Sequence, residues 1–353
     1  MDSKPLVAAM GLVFLACNLD TASVPEQTTT LPPTSSTTAA AISGQSTTTP
    51  LATRSPESLQ IEAFPVPPGS HPHDVAPAAD GGVWYTAQAT GELGWLDPDT
   101  GDTRHIDLGS NSGPHGVIVD SDGVPWVTAQ RINAIVKVDP ETFEVTRYRI
   151  PDVDAAPHTA VFDDDGILWF TGSRGYIGRL DPTTGAVDTF PSPGGGGPYG
   201  ITSTSDGSVF YAALSGSYVG SVAPDGSVVV VEPPTPSQGA RRVWSDSRGM
   251  IWVSEWNTGN LSRYDPATGE WSTWHLPGES PQAYAVYVDE MDVVWVSDFG
   301  SNSMVRFDPA TEEFHVYELP HSPGNVRQIL GRSGEVWGAE SAADHLIVIR
   351  TVP

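Results

Sequence analysis

Six large polar side chains recur at one place in this chain. His73, His115, His158, Tyr199, Arg241 and Tyr284 each stand eleven residues before an aromatic landmark: Trp84, Trp126, Trp169, Phe210, Trp252 and Trp295. A seventh landmark, Trp337, points back to Val326, or to Arg327 if its copy is aligned one residue later. Histidine titrates near neutrality, so it can act as general base, metal ligand or hydrogen-bond donor. Arginine and tyrosine beside it can bind and polarise a carbonyl group. His115 and His158 are the expected catalytic residues, and His73, Tyr199, Arg241 and Tyr284 are expected to hold the ligand. A second set, three or four residues after the landmarks, comprises Gln88, Gln130, Glu255, Asp298 and Glu340. From it Glu255 and Glu340 are the expected metal ligands. Three histidines could together hold one divalent ion, although neighbouring copies of a repeat can set them too far apart.

The elements that must position these residues follow from the spacing. The seven landmarks are 41 to 43 residues apart. Each copy reads as an apolar segment, an Asp/Gly turn, an aromatic-rich segment and a second turn of the D-P-x-T-G kind. Glycine supplies positive φ and aspartate caps its own turn, which makes both hairpin residues. Four antiparallel strands per copy, repeated seven times, predict an all-β, seven-bladed β-propeller. The last copy lacks an outer strand, and the segment 60–66 is expected to supply it and close the ring. The D-P-x-T-G acids fall on the face away from the pocket and are expected to shape turns. The landmarks are expected to be inter-blade core, and the tetraglycine 194–197 a loop. His71, His105, His275, His315, His321 and His345 fall on turns or outer strands and are expected at the surface.

Residues 59–353 are thus assigned to the propeller. Ahead of them, 6–16 is an apolar run preceded by Lys4 and followed by Cys17. It has the length of a secretory signal and is too short to span a bilayer. Residues 1–20 are therefore expected to be a signal peptide, with Cys17 as a lipid anchor or as an incidental cysteine. Residues 21–58, rich in Thr, Ser and Pro, are expected to be a disordered stalk. An exported head, lipoprotein or secreted, follows, with no transmembrane helix.

Composition agrees. The chain has 353 residues, 17 Lys+Arg against 43 Asp+Glu, and a net charge of −26. That charge tells against nucleic acid as a partner. With 36 Gly, 32 Pro and 11 Trp, an all-β chain is favoured over a helical bundle. A single cysteine excludes a disulfide framework and a multi-cysteine zinc site.

The copies PHGVIVDSDGVPWVT, PHTAVFDDDGILWFT and PYGITSTSDGSVFYA resemble those of the streptogramin B (virginiamycin B) lyase family over about residues 60–353. The resemblance implies a monomeric seven-bladed propeller taking a small-molecule or cyclic peptide ligand. It implies elimination across an ester of a cyclic depsipeptide, with magnesium polarising the ester and a histidine removing the α-proton. By order around the ring, His115, His158 and Tyr199 match the family's Pro-His, Pro-His and Pro-Tyr run. The family's two metal-linked glutamates fall at Ala156 and Ser173, while Glu340 lies close to the second of them in a linear alignment. Two further readings stay open: a non-catalytic ligand-binding propeller, and a gluconolactonase-type hydrolase with a calcium site of carboxylates and asparagine.

Overall fold

The computed structural model describes residues 53–352. The signal peptide, Cys17 and nearly all of the stalk lie outside them. The described chain forms seven four-stranded sheets, six of them laid down in chain order from the channel outward. Blades 1 to 6 span 72–107, 114–149, 157–191, 198–231, 240–275 and 283–318. Blade 7 takes three strands from 326–350, and its outer strand is Ile61–Pro65. That strand runs antiparallel to His345–Arg350, with Phe64 opposite Leu346. The ring closes as the missing outer strand required. Contact with the body begins earlier than residue 59, because the Arg54 N–H donates to Thr351 O. Among the described residues, no helix is long and apolar enough to cross a membrane.

The landmarks hold the blades together. Trp126 packs with Ala160, Leu168 and Phe170 of the following blade, and Trp252 packs with Val286, Val296 and Phe307. Trp337 packs with Val75 and Tyr85 of blade 1 across the closure. Each indole also needs a partner for its N–H, since an unmatched buried donor is costly. In blades 2, 3, 5 and 6 the aspartate six residues earlier accepts it: Asp120, Asp163, Asp246 and Asp289, at 2.7 to 3.1 Å. In blade 7 Glu335 takes that place. Blade 1 has Ala78 there, and Trp84 Nε1 is buried without a partner among the described residues. The hairpin at Ala78 makes the same two backbone bonds as the one at Asp120. Ala78→Asp is therefore expected to stabilise the protein by about 1–2 kcal/mol, read as a higher melting temperature. An unchanged or lower value would refute this account of the tryptophan–aspartate pair.

The D-P-x-T-G acids serve the turns. Asp139 accepts the N–H groups of Glu141 and Thr142, and these backbone bonds hold its carboxyl below the usual range. Asp181 and Asp265 behave alike, held low by Thr184 and by the Ala267 N–H respectively. Much of the net negative charge is thus tied to turn geometry.

Candidate functional site

Every inner strand contains one register slip against its neighbour. Pro72 faces Ala87 while Val75 faces Tyr85, and the same slip recurs in the other six blades. A bulge of this kind breaks the two-residue alternation of side chains. Two consecutive residues per blade consequently face the channel. The first forms the ring anticipated from the spacing, and the second forms a lower ring of Asp74, Gly116, Thr159, Gly200, Arg242, Ala285 and Gln328. The lower ring borders a cavity of about 60 Å³.

In five blades a hydroxyl two residues after the landmark fixes the bulge. Thr86 accepts the Asp74 N–H and donates to His115 O of the next blade. Thr128 links Gly116 to His158 O, Thr171 links Thr159 to Tyr199 O, Ser254 links Arg242 to Tyr284 O, and Ser297 links Ala285 to Val326 O. Blades 4 and 7 have Ala212 and Ala339 at this place and lack the link. Close approach also explains the glycine after His115. A Cβ on Gly116 would stand 2.8 Å from the His158 carbonyl oxygen.

The upper ring has two halves. His73, His115, His158 and Tyr199 lie ring against ring in series, with centroids 3.8, 3.9 and 3.8 Å apart and planes tilted by 44° to 47°. All three histidines are buried. Burial, reinforced by nearby arginines and by one another, holds each imidazole well below its usual range. They are neutral at pH 7 and carry a free lone pair. His73 Nδ1 meets Asp74 Oδ1 at 2.7 Å, and His158 Nδ1 meets Thr159 Oγ1 at 2.9 Å. His115 is followed by glycine, and its Nδ1 is buried with no partner among the described residues.

Opposite stand Arg241, Tyr284 and Arg327. The Arg241 guanidinium lies 3.6 Å from the Tyr284 ring centre and 4.3 Å from that of Trp256. It donates to Tyr199 Oη at 3.1 Å. The two phenols meet at 2.5 Å. Burial raises Tyr199 above the usual phenol range. For Tyr284 burial acts in the same direction, but Arg241, Arg242 and Arg327 outweigh it and bring that phenol below the range. Arg327 donates to Tyr284 Oη at 3.4 Å and to Ser341 Oγ at 3.0 Å. Arg327, not Val326, is the seventh ring residue. Val326 faces Glu340 as Pro72 faces Ala87, and the blade 7 hairpin, closed by Arg332 opposite Glu335, is one residue shorter than its counterparts. Beneath the ring Arg242 crosses the channel to Asp74 at 3.3 Å and to Thr159 at 2.7 Å.

Glu255 and Glu340, the expected metal ligands, are not brought to the histidines. The Glu255 carboxylate is buried and accepts from Thr258, Asn260 and Ser262 of its own blade. Glu340 accepts from the backbone and ring of His321. Asp298 likewise accepts from Gln282, Gly300 and Ser301. One cluster of potential ligands, His73, Asp74 and His115, does lie in the pocket. Magnesium asks for hard oxygen donors around an octahedron. Here the donors are imidazole nitrogens plus one carboxylate that already carries Arg242, with Arg241 and Arg327 close by. The residues present do not fit magnesium. They suit a ligand with a carbonyl or carboxylate directed at the arginines and an acidic proton directed at an imidazole.

The sequence model described as the virginiamycin B lyase family matches residues 59–348. Virginiamycin B lyase from Staphylococcus aureus superposes with a TM-score of 0.78 at 19% identity, covering 83% of this chain and 100% of that one. A streptogramin B lyase structure gives 0.77 at 22%, covering 83% and 97%. A catalytically inactive histidine-to-alanine variant of the Staphylococcus aureus enzyme with quinupristin gives 0.77 at 19%, covering 83% and 100%. No curated protein matches the chain at a significant level.

Proposed function

The chain belongs to the virginiamycin B lyase family, and on that footing we propose that it is a carbon–oxygen lyase opening an ester in a cyclic depsipeptide or lactone. The observation that carries the reading is the run of three neutral, buried histidines facing Arg241 and Arg327, which have no carboxylate partner among the described residues. His115, whose Nδ1 has no partner among the described residues, or His158 takes the proton from the carbon α to a carbonyl. Arg241, with Tyr199 and Tyr284, holds that carbonyl oxygen as charge develops on it. The electron pair then forms the double bond to the β-carbon, whose C–O bond breaks, and the freed carboxylate leaves toward Arg327. No water is consumed, so the linear product has the mass of the cyclic substrate.

The related enzyme with quinupristin is inactive as a histidine-to-alanine variant, which supports a histidine base here. Charge stabilisation is assigned to the arginines because the donor set does not fit magnesium. Export as a lipoprotein or secreted monomer belongs to the same reading and rests on the segment ahead of the described residues.

The test is incubation with cyclic depsipeptides and lactones, with and without chelator, followed by mass spectrometry. A ring-opened product of unchanged mass, insensitive to chelator, is expected. His115→Ala/His158→Ala should lower turnover by about 10²–10⁴-fold, the usual range for a positioned base. Because the histidine pKa values are depressed, kcat/KM should stay flat as pH falls through 6.5 and decline only below it. A product heavier by one water would replace elimination with hydrolysis. Ligand retention without turnover would favour the non-catalytic binding propeller, a reading to which Ala156 and Ser173, in place of the family's glutamates, already lend weight. The gluconolactonase reading needs a carboxylate-and-asparagine site that the described channel residues do not form.

A further inference from the structure

Blade 7 carries a second polar cluster, which the pocket does not use. His321 lies on the connection from blade 6, Glu340 ends the second strand of blade 7, and His345 begins the third. One potential ligand atom from each lies within 4.8 Å of the others. The two imidazoles stack with centroids 4.0 Å apart and planes 29° apart. The His321 ring meets Glu340 Oε2 through Nδ1 at 2.6 Å. The His345 ring meets the Ala343 carbonyl oxygen through Nδ1 at 2.7 Å. A carboxylate and a carbonyl can only accept, so in both rings the proton sits on Nδ1. Both Nε2 lone pairs are therefore unprotonated in the neutral form, on rings whose centroids lie 4.0 Å apart.

This is the arrangement by which proteins prepare histidines for a metal. An outer carboxylate or carbonyl fixes the tautomer and ring orientation and raises the basicity of the other nitrogen. Glu340 is fully buried, whereas the His321 side chain is 36% exposed, so an ion could enter from solvent. Two stacked imidazole nitrogens suit a borderline dication of the zinc class and not magnesium or calcium.

We propose that His321 and His345 bind a zinc-class dication through Nε2, with Glu340 as the positioning residue behind His321 and solvent completing the coordination. The site joins the connection between blades 6 and 7 to the strand on which the ring closes, since His345 faces Pro65 of the outer strand. Metal occupancy would thus favour the closed ring, because an ion that binds only the folded state stabilises it.

The experiment is calorimetric titration of chelator-treated full-length protein with zinc alone, in a Cys17→Ser background that removes the thiol. One ion should bind, and the melting temperature should rise with zinc. His321→Ala and His345→Ala should each abolish the zinc-dependent rise, and Glu340→Gln should weaken binding by about 10–100-fold. His345→Gln, with a melting temperature equal to wild type in the absence of zinc, separates lost ligation from lost folding. His115→Ala/His158→Ala should bind zinc unchanged. Absence of binding, binding untouched by His321→Ala and His345→Ala, or binding lost in His115→Ala/His158→Ala would each overturn the assignment.

Discussion

A chain lacking residues 1–67 is expected to lose its cooperative folded state. The deletion removes Leu59, buried against Trp295 and Ile349, and Phe64 and Val66, buried with Trp337, Leu346 and Val348. Large-to-small changes at such positions typically cost about 2–5 kcal/mol each, and three together approach the whole stability of an ordinary domain. The deletion also bares the backbone of His345–Arg350, an apolar edge primed for pairing with another chain. The expected result is broad, non-cooperative melting with aggregation, read by circular dichroism and light scattering. Deletion of 1–52 alone should leave melting unchanged. A sharp transition near the wild-type temperature for the longer deletion would show that the outer strand is dispensable.

Arg242→Met is the second change with a large expected effect. It leaves the Asp74 carboxylate buried without its counter-charge, a loss that typically costs about 3–5 kcal/mol. The cost should depend on pH, with a sign that follows from linkage. Burial already raises the Asp74 carboxyl above its usual range, even against the opposing pull of Arg242. A raised folded pKa means that the folded state keeps its proton longer, so this group's contribution worsens as pH rises through the window between unfolded and folded values. Without Arg242 the window extends upward. The groups facing the carboxylate are then His73, His115 and Arg327. Denaturant unfolding should show the variant furthest below wild type at about pH 8 and closest at about pH 5. Adding Asp74→Asn should recover much of the loss. An equal loss at both pH values, unrelieved by Asp74→Asn, would mean that packing and not charge explains it.

The architecture was legible because a repeat of about 42 residues leaves few choices once hairpin chemistry is recognised. Six of the seven ring positions were legible for the same reason: His73, His115, His158, Tyr199, Arg241 and Tyr284 share one offset from their landmarks. The seventh was ambiguous, since Ser333-Gly334 makes a tighter hairpin than its counterparts and shifts the count from Val326 to Arg327. Asp74, Thr159 and Arg242 were missed because strict strand alternation turns them away from the channel, and only the bulge returns them. The signal was present as doubled polar residues in His73-Asp74, His158-Thr159 and Arg241-Arg242. For Glu255 and Glu340 the limit was different. Whether a carboxylate at a strand end faces the pocket or folds back depends on hydroxyls and amides several residues away, such as Thr258, Asn260 and Ser262. His321 and His345, expected only at the surface, meet because the connection from blade 6 lies against the second and third strands of blade 7, which no local pattern encodes.

The hydroxyl links between blades run unbroken from blade 1 to blade 4 and again from blade 5 to blade 7. They are missing where Ala212 and Ala339 stand. These gaps coincide with the borders between the histidine–tyrosine stack and the arginine–tyrosine group. The bases and the cations thus lie on two arcs of the ring. Other bonds cross the gaps, from Ser245 to Thr202 and Ser203 and from the Val75 N–H to Gln328. Side chains also join the arcs across the channel: Arg241 to Tyr199, Tyr199 to Tyr284, and Arg242 to Asp74 and Thr159. A ligand that draws Arg241 away from Tyr199 therefore removes one of those cross-channel bonds, so the arcs hold each other and hold a ligand through some of the same groups.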